Sequence, residues 1–153
     1  MNLQAVLQLF QRDARLQSLV KGIQSPTPQY FQLSSLSGSA INFVAVTSWA
    51  NADANHLFIL NDKEEAAYFQ NDLEELSQAL DIFYFPDSFK KTGQFTELNS
   101  SHSMLRTEAL MKLSGDTVRK KILVTHPEAL WEKVAGSKAF NTSMVQLKVG
   151  DVL

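Results

Sequence analysis

Leu33–Trp49, LSSLSGSAINFVAVTSW, is the stretch whose reading decides the fold. Tyr30, Phe31 and Leu33 supply an apolar run that predicts a strand over Gln29–Leu33. Ser34 to Ala40 are, Leu36 apart, small residues around Gly38, the composition of a tight turn. Ile41, Phe43, Val44, Ala45, Val46 and Trp49 then predict a helix to about Asn51. Strand, tight turn and helix is the context that a phosphate-binding loop requires. The residues that do its chemistry are missing. Registered on G-x-x-x-x-G-K-[ST], the chain reads Ser35-Leu36-Ser37-Gly38-Ser39-Ala40-Ile41-Asn42. Ser35 and Ala40 replace the glycines, Ile41 the lysine and Asn42 the hydroxyl that holds Mg²⁺. Ile41 carries no charge to set against β- and γ-phosphates, and Asn42 is a poor substitute for a hydroxyl on the metal.

Outward from that loop, apolar and helical patterns alternate. Leu3, Val6, Leu7, Phe10, Leu16, Leu19 and Val20 predict one amphipathic helix over residues 2–21, with Gly22 as its C-cap. Gln4, Gln8, Gln11 and Arg15 make its solvated face. His56–Leu60, Asp81–Phe85 and Lys120–Thr125 are short apolar runs of the kind found in strands covered on both faces. Between the first two, Asn61-Asp62 offers an N-cap to a helix bearing Ala66, Ala67, Phe69, Leu73, Leu76 and Leu80. Glu64, Glu65, Asp72, Glu74 and Glu75 read as the solvated face of that helix rather than a metal or acid–base cluster. Asp87–Ser103 is expected to be a long loop, followed by a helix over 101–113 with Met104, Leu105, Ala109 and Leu110 apolar. His126-Pro127 opens a short helix through Trp131, and Ser143–Val149 alternates like a half-exposed strand. This order predicts an α/β fold, a mostly parallel sheet flanked by helices on both faces. The expected divisions are an N-terminal helix (1–25), the α/β domain (26–136), and a linker that starts a further subdomain (137–153).

Composition narrows the function classes. The 153 residues carry a net charge of −2, so no global field recruits nucleic acid or an anionic membrane. There is no cysteine, which excludes disulfides and thiolate metal sites and suits a reducing, cytoplasmic setting. Arg12 and Asp13 interrupt any signal-peptide core, and no apolar run approaches the roughly 20 residues of a membrane span. His56, His102 and His126 lie far apart in sequence without metal-ligand spacing. Ser37 and Ser39 are not set in G-x-S-x-G, and no His–acid pair is placed to activate them. Neither a catalytic residue nor a metal or cofactor is expected. Phe89, Lys90, Lys91 and Phe95 combine basic and aromatic residues in the long loop, a weak signal for single-strand or partner contact.

In order and spacing, several segments resemble one family. They are L-S-x-L-S-G-S-A (33–40), H-L-F-I-L-N-D (56–62), F-Y-F-P-D-S-F (83–89), S-x-x-x-L-R-x-E-A-L (101–110) and I-L-V-T-H-P-E-A-L-W-E-K-V (122–134). Together, across roughly residues 28–153, they look like the amino-terminal, UvrB-like region of the bacterial transcription-repair coupling factor. The resemblance implies a RecA/helicase-like domain, P-loop NTPase-like in outline, that has lost ATP binding. UvrB keeps the lysine that Ile41 replaces here. UvrB also carries a long DNA-gripping hairpin after the strand matching Ile82–Phe85, a place filled here by the shorter Asp87–Asn99.

The partners implied are the other domains of the parent protein, and UvrA through the subdomain that begins near Ser143. RNA polymerase and DNA would be engaged by other domains, including a separate ATP-driven translocase. The chain then reads as a fragment. A small α/β binder or enzyme using the Ser37-Gly38-Ser39 turn on a phosphorylated ligand is the alternative, and a stand-alone single-strand-binding module a third.

Overall fold

The structure, a computed structural model, describes residues 2–77, 81–92, 95–115, 119–134, 136 and 142; within 89–98 only the side chains of Phe89 and Leu98 are described. Leu80 and the expected strand 143–149 lie outside the described residues, as does nearly all of the segment 137–153.

Two helices, not one, open the chain: α1 (Leu3–Arg12) and α2 (Ala14–Ile23). Asp13 ends the first in extended conformation, and its carboxylate caps the second by accepting from the Arg15 amide at 2.8 Å. An apolar spacing that continues through residues 2–21 hides this break, because a capping aspartate and a solvated one look alike in sequence. Gly22 is not the C-cap either. It lies inside α2, and the Phe31 ring fills the space above it, 2.2 Å from where a Cβ would stand.

The segment expected to be the first strand, Gln29–Leu33, joins no sheet. Among the described residues, no backbone hydrogen bond involves residues 28–36. A strand needs a neighbour to satisfy its amides, and here Phe31 rests on α2 instead.

α3 (Ala40–Asn51) follows and matches its expected span. It is apolar around much of its circumference and is enclosed accordingly. Phe43 stacks on Phe10 of α1 at 5.3 Å, while Ala45 and Val46 enter the main core. Lys120 closes its C-terminal end, its ammonium donating to the carbonyls of Trp49, Ala50 and Ala52 and lying 4.9 Å from the Trp49 ring centroid. A cation is well placed on the negative end of a helix dipole.

Strands β1 (His56–Ile59), β2 (Ile82–Phe85) and β5 (Ile122–Thr125) form a parallel sheet in the order β1-β5-β2. α4 (Lys63–Ser77) connects β1 to β2. Its start is capped as expected, with Asp62 Oδ1 accepting from the Glu65 amide at 2.7 Å. Ala66, Phe69 and Leu73 of α4 pack with Ala45, Val46, Ile82, Ile122 and Val124 on one face of the sheet. Ala67, named with them in the sequence, is exposed.

The expected long loop is a β-hairpin, β3 (Phe89–Thr92) against β4 (Phe95–Leu98), with Lys90 opposite Glu97 in register. The Asn99 amide donates to the Ser88 carbonyl at 2.8 Å and closes its base. α5 (Ser100–Ser114) and α6 (Pro127–Trp131) cover the other face through Ala109, Leu110 and Ala129 against Phe83, Phe85 and Leu123. Of the apolar residues named on α5, Met104 is exposed. Thus the α/β prediction holds as a small three-stranded parallel sheet flanked by helices. The cover is incomplete: Leu57 and Ile59 of β1 are each 53% exposed, where both faces were expected to be buried. No helix among the described residues is long and apolar enough to cross a membrane.

Candidate functional site

The loop before α3 keeps a tight turn and little else of a phosphate cradle. Ser35, at the first glycine position of the motif, has φ +62°, and Gly38 has φ +54°. Glycine reaches that region without the steric penalty that a Cβ brings. Ser39 is the N-cap of α3 but its hydroxyl makes no capping bond, and Ala40 is the first helical residue. Ile41 is 45% exposed, an apolar side chain where a lysine would reach toward phosphate. Asn42 turns the other way. It is 6% exposed, and its Nδ2 donates to Asp72 Oδ2 of α4 at 2.5 Å. Asp72, expected to be solvated, is therefore a half-buried partner. The side chain at the Mg²⁺-holding position is committed to packing α3 on α4.

The second sequence candidate, Phe89, Lys90, Lys91 and Phe95, is brought onto one hairpin. Phe89 is half-exposed. The other three lie on β3 and β4 by backbone position, and their side chains are outside the described residues. A second basic run, Arg119-Lys120-Lys121, is committed elsewhere in part: Lys120 is half-buried and caps α3, and Lys121 is buried.

A third cluster was not foreseen. It forms where the carboxyl ends of the parallel strands meet α5 and α6, the usual position of ligand crevices in open α/β sheets. Asp87, just past β2, is its centre. Its Oδ1 is 3.8 Å from His102 Nδ1 and 3.6 Å from His126 Nε2. His102 Nδ1 also lies 2.8 Å from the Asp87 carbonyl, and His126 Nδ1 lies 3.0 Å from Glu128 Oε2. Asp87 Oδ1 and His126 Nε2 are buried without a hydrogen bond.

Arg106 holds the same corner together. Its Nη1 donates to the carbonyls of Pro86 (2.7 Å) and Ala129 (3.0 Å), its Nη2 is 3.5 Å from Glu132, and its guanidinium stands 4.0 Å from the Phe85 ring centroid. Glu132 accepts the Ser88 amide at 2.8 Å. A cleft of ≈ 380 Å³ opens beside the cluster, with Lys63, Glu64, Tyr84, Asp87, Phe89 and His102 in its walls.

The electrostatics follow the burial. Tyr84 is pushed up to about 12, first by burial and then by the charges of Asp87 and Glu64. The hydrogen bond with His126 holds Glu128 below its ordinary value. Burial draws Arg106 down, against the opposing pull of Glu132 and Asp87. Among the described residues no three His, Asp or Glu side chains converge as a metal-holding group. The arrangement ties the ends of β2 and β5 to the base of the hairpin. The two histidines are 24 positions apart in sequence (126 − 102); the β2–β5 pairing brings His126 to the Asp87 carboxylate, and the packing of α5 against β2 brings His102 there.

Comparisons with protein-family models, with curated proteins and with solved structures found no match for this chain.

Proposed function

We propose that this chain is a non-catalytic, UvrB-like module of a transcription-repair coupling factor. In this reading it supports recruitment of the excision-repair protein UvrA to RNA polymerase stalled at damaged DNA. The motor activity would belong to a separate translocase domain, and UvrA would be engaged mainly through the subdomain that follows. The observation that carries the reading is the state of the loop before α3. Ile41 occupies the lysine position, and the Asn42 amide is bonded to Asp72 rather than presented to the loop. The order of the five sequence segments supports the same assignment.

Titration calorimetry with ATP–Mg²⁺ tests the lost nucleotide site; no binding is expected, and micromolar affinity would refute it. Pull-down of UvrA by this chain and by a longer one tests the recruitment role. Strong binding is expected only with the longer chain. Tight binding by this chain alone would move the recognition surface into residues 1–136, and failure of both would sink the proposal.

A further inference from the structure

Two unsatisfied features stand in the same chain. One is a sheet edge beside which no strand lies among the described residues. In the β1–β5 ladder the amides of His56 and Leu60 donate to Lys121 and Thr125 of the β5 side. Alternate residues of a parallel strand turn their backbone groups to opposite neighbours, so Leu57 and Ile59 present theirs to the free edge. Among the described residues nothing pairs there. The Leu57 and Ile59 side chains share the face of Leu123 and Thr125, yet α5 and α6 pack over β2 and β5 and leave them bare.

The other feature is a strand-like segment without a sheet. Gln29–Leu33 makes no backbone hydrogen bond to other described residues, and Tyr30 is 96% exposed, with Phe31 and Leu33 about half exposed. In its own chain the segment is drawn away to α2, because Phe31 is seated above Gly22.

Natural edge strands are blunted by charge, proline or a bulge. β1 has none of these: residues 54–61 contain no Lys, Arg, Asp, Glu or Pro. The donor side is equally uncharged, since residues 22–52 lack all four charged types. No like-charge pair opposes their meeting, and apolar side chains stand on both sides of the junction.

We propose that Gln29–Leu33 of one copy adds as a strand to the free edge of β1 in a second copy, so that two chains exchange strands. Each added strand satisfies the outward amides and carbonyls of Leu57 and Ile59. Side chains alternate along a strand, so Tyr30 lies over the apolar patch that α5 and α6 leave open while Phe31 and Leu33 face the other way. Made reciprocally about a two-fold axis, the exchange closes the assembly at two copies.

The absence of cysteine makes the test direct. A Tyr30→Cys/Leu57→Cys double variant is oxidised gently, and the products are separated under denaturing, non-reducing conditions. A disulfide-linked dimer is expected. Only monomer would overturn the proposal, whether internally cross-linked or not. In parallel, light scattering follows the wild-type mass with rising concentration, and amide exchange is read at Leu57 and Ile59. Dimer mass with slowed exchange at those two amides is expected. Tyr30→Lys and Leu57→Lys alter exposed side chains, so the fold is kept, which far-ultraviolet circular dichroism checks. Each should weaken association by about tenfold or more. A dimer indifferent to both variants uses another surface and overturns the proposal, as does a wild type that stays monomeric. A monomer that binds an added peptide of residues 27–36 at β1 would assign the edge to a foreign strand and reject the second copy.

Discussion

The Asn42 amide of α3 donates to the Asp72 carboxylate of α4 across 2.5 Å, joining residues 30 apart in sequence. The bond is part-buried, so each group would be left with an unmet desolvation cost if the other were removed. We predict that Asn42→Ala destabilises the chain by about 1–3 kcal/mol. Asn42→Asp should be worse, since it sets two carboxylates against each other. Urea unfolding with a double cycle against Asp72→Asn measures the coupling; additive effects would show that the bond does not hold the helices together.

The same bond bears on any attempt to restore a nucleotide site. Ile41→Lys with Asn42→Thr rewrites the loop toward the G-K-[ST] pattern but removes the tie to Asp72. The expected outcome is no ATP turnover and a less stable protein, because Ser35 and Ala40 still stand at the glycine positions. Phosphate release is the measurement, and turnover above background would overturn the degenerate-site reading.

Arg106 should be the most sensitive charged position. Arg106→Met removes two donors to buried carbonyls and leaves Glu132 without its cation. Breaking such a pair from one side destabilises by about 3–5 kcal/mol. Arg106→Lys keeps the charge without the planar fork and should fall between, by about 1–3 kcal/mol. Chemical denaturation of both variants, with Glu132→Gln as the second arm of a cycle, reads the difference. Equal stability of wild type and Arg106→Met would contradict the assigned role.

Acid should weaken the fold partly through His56. Burial lowers its pKa below the ordinary 6.5, more than the hydrogen bond to Ala54 raises it. A group with a depressed folded pKa binds more protons when unfolded, so stability rises with pH. This contribution is fully present above about 6.5 and declines as pH falls toward the lowered folded value. His56→Gln should flatten the stability profile over that interval; an unchanged slope would assign the acid sensitivity elsewhere.

How much of this was legible in the sequence depends on the reach of each interaction. The runs at 56–60, 81–85 and 121–124 showed as strands because burial on at least one face leaves a local apolar signature. The start of α4 showed because Asp62 and Glu65 are three residues apart. Gln29–Leu33 misled for the same reason: apolar content signals burial or strand, but a strand also needs a neighbour, and the sequence does not say whether one is there. The hairpin was within reach, since Phe89–Thr92 and Phe95–Leu98 are separated by two residues that include Gly93. Lys120, Arg106 and Asn42 could not be read. Their partners are main-chain carbonyls or a carboxylate 20 to 71 positions away, and nothing in local composition distinguishes them from surface groups.

The strand order has a consequence for how this chain is made. β5 lies between β1 and β2, so neither of the earlier strands has a sheet neighbour until residues 122–125 have been synthesised. Lys120, which closes α3, arrives in the same short stretch. A ribosome-bound chain shorter than that holds helices and the β3–β4 hairpin but none of the parallel sheet. Its apolar strands wait, at roughly 5–20 residues per second, for the segment that locks them. Folding should therefore appear as a late, single gain of protection once β5 clears the exit tunnel, rather than as gradual growth from the N-terminus.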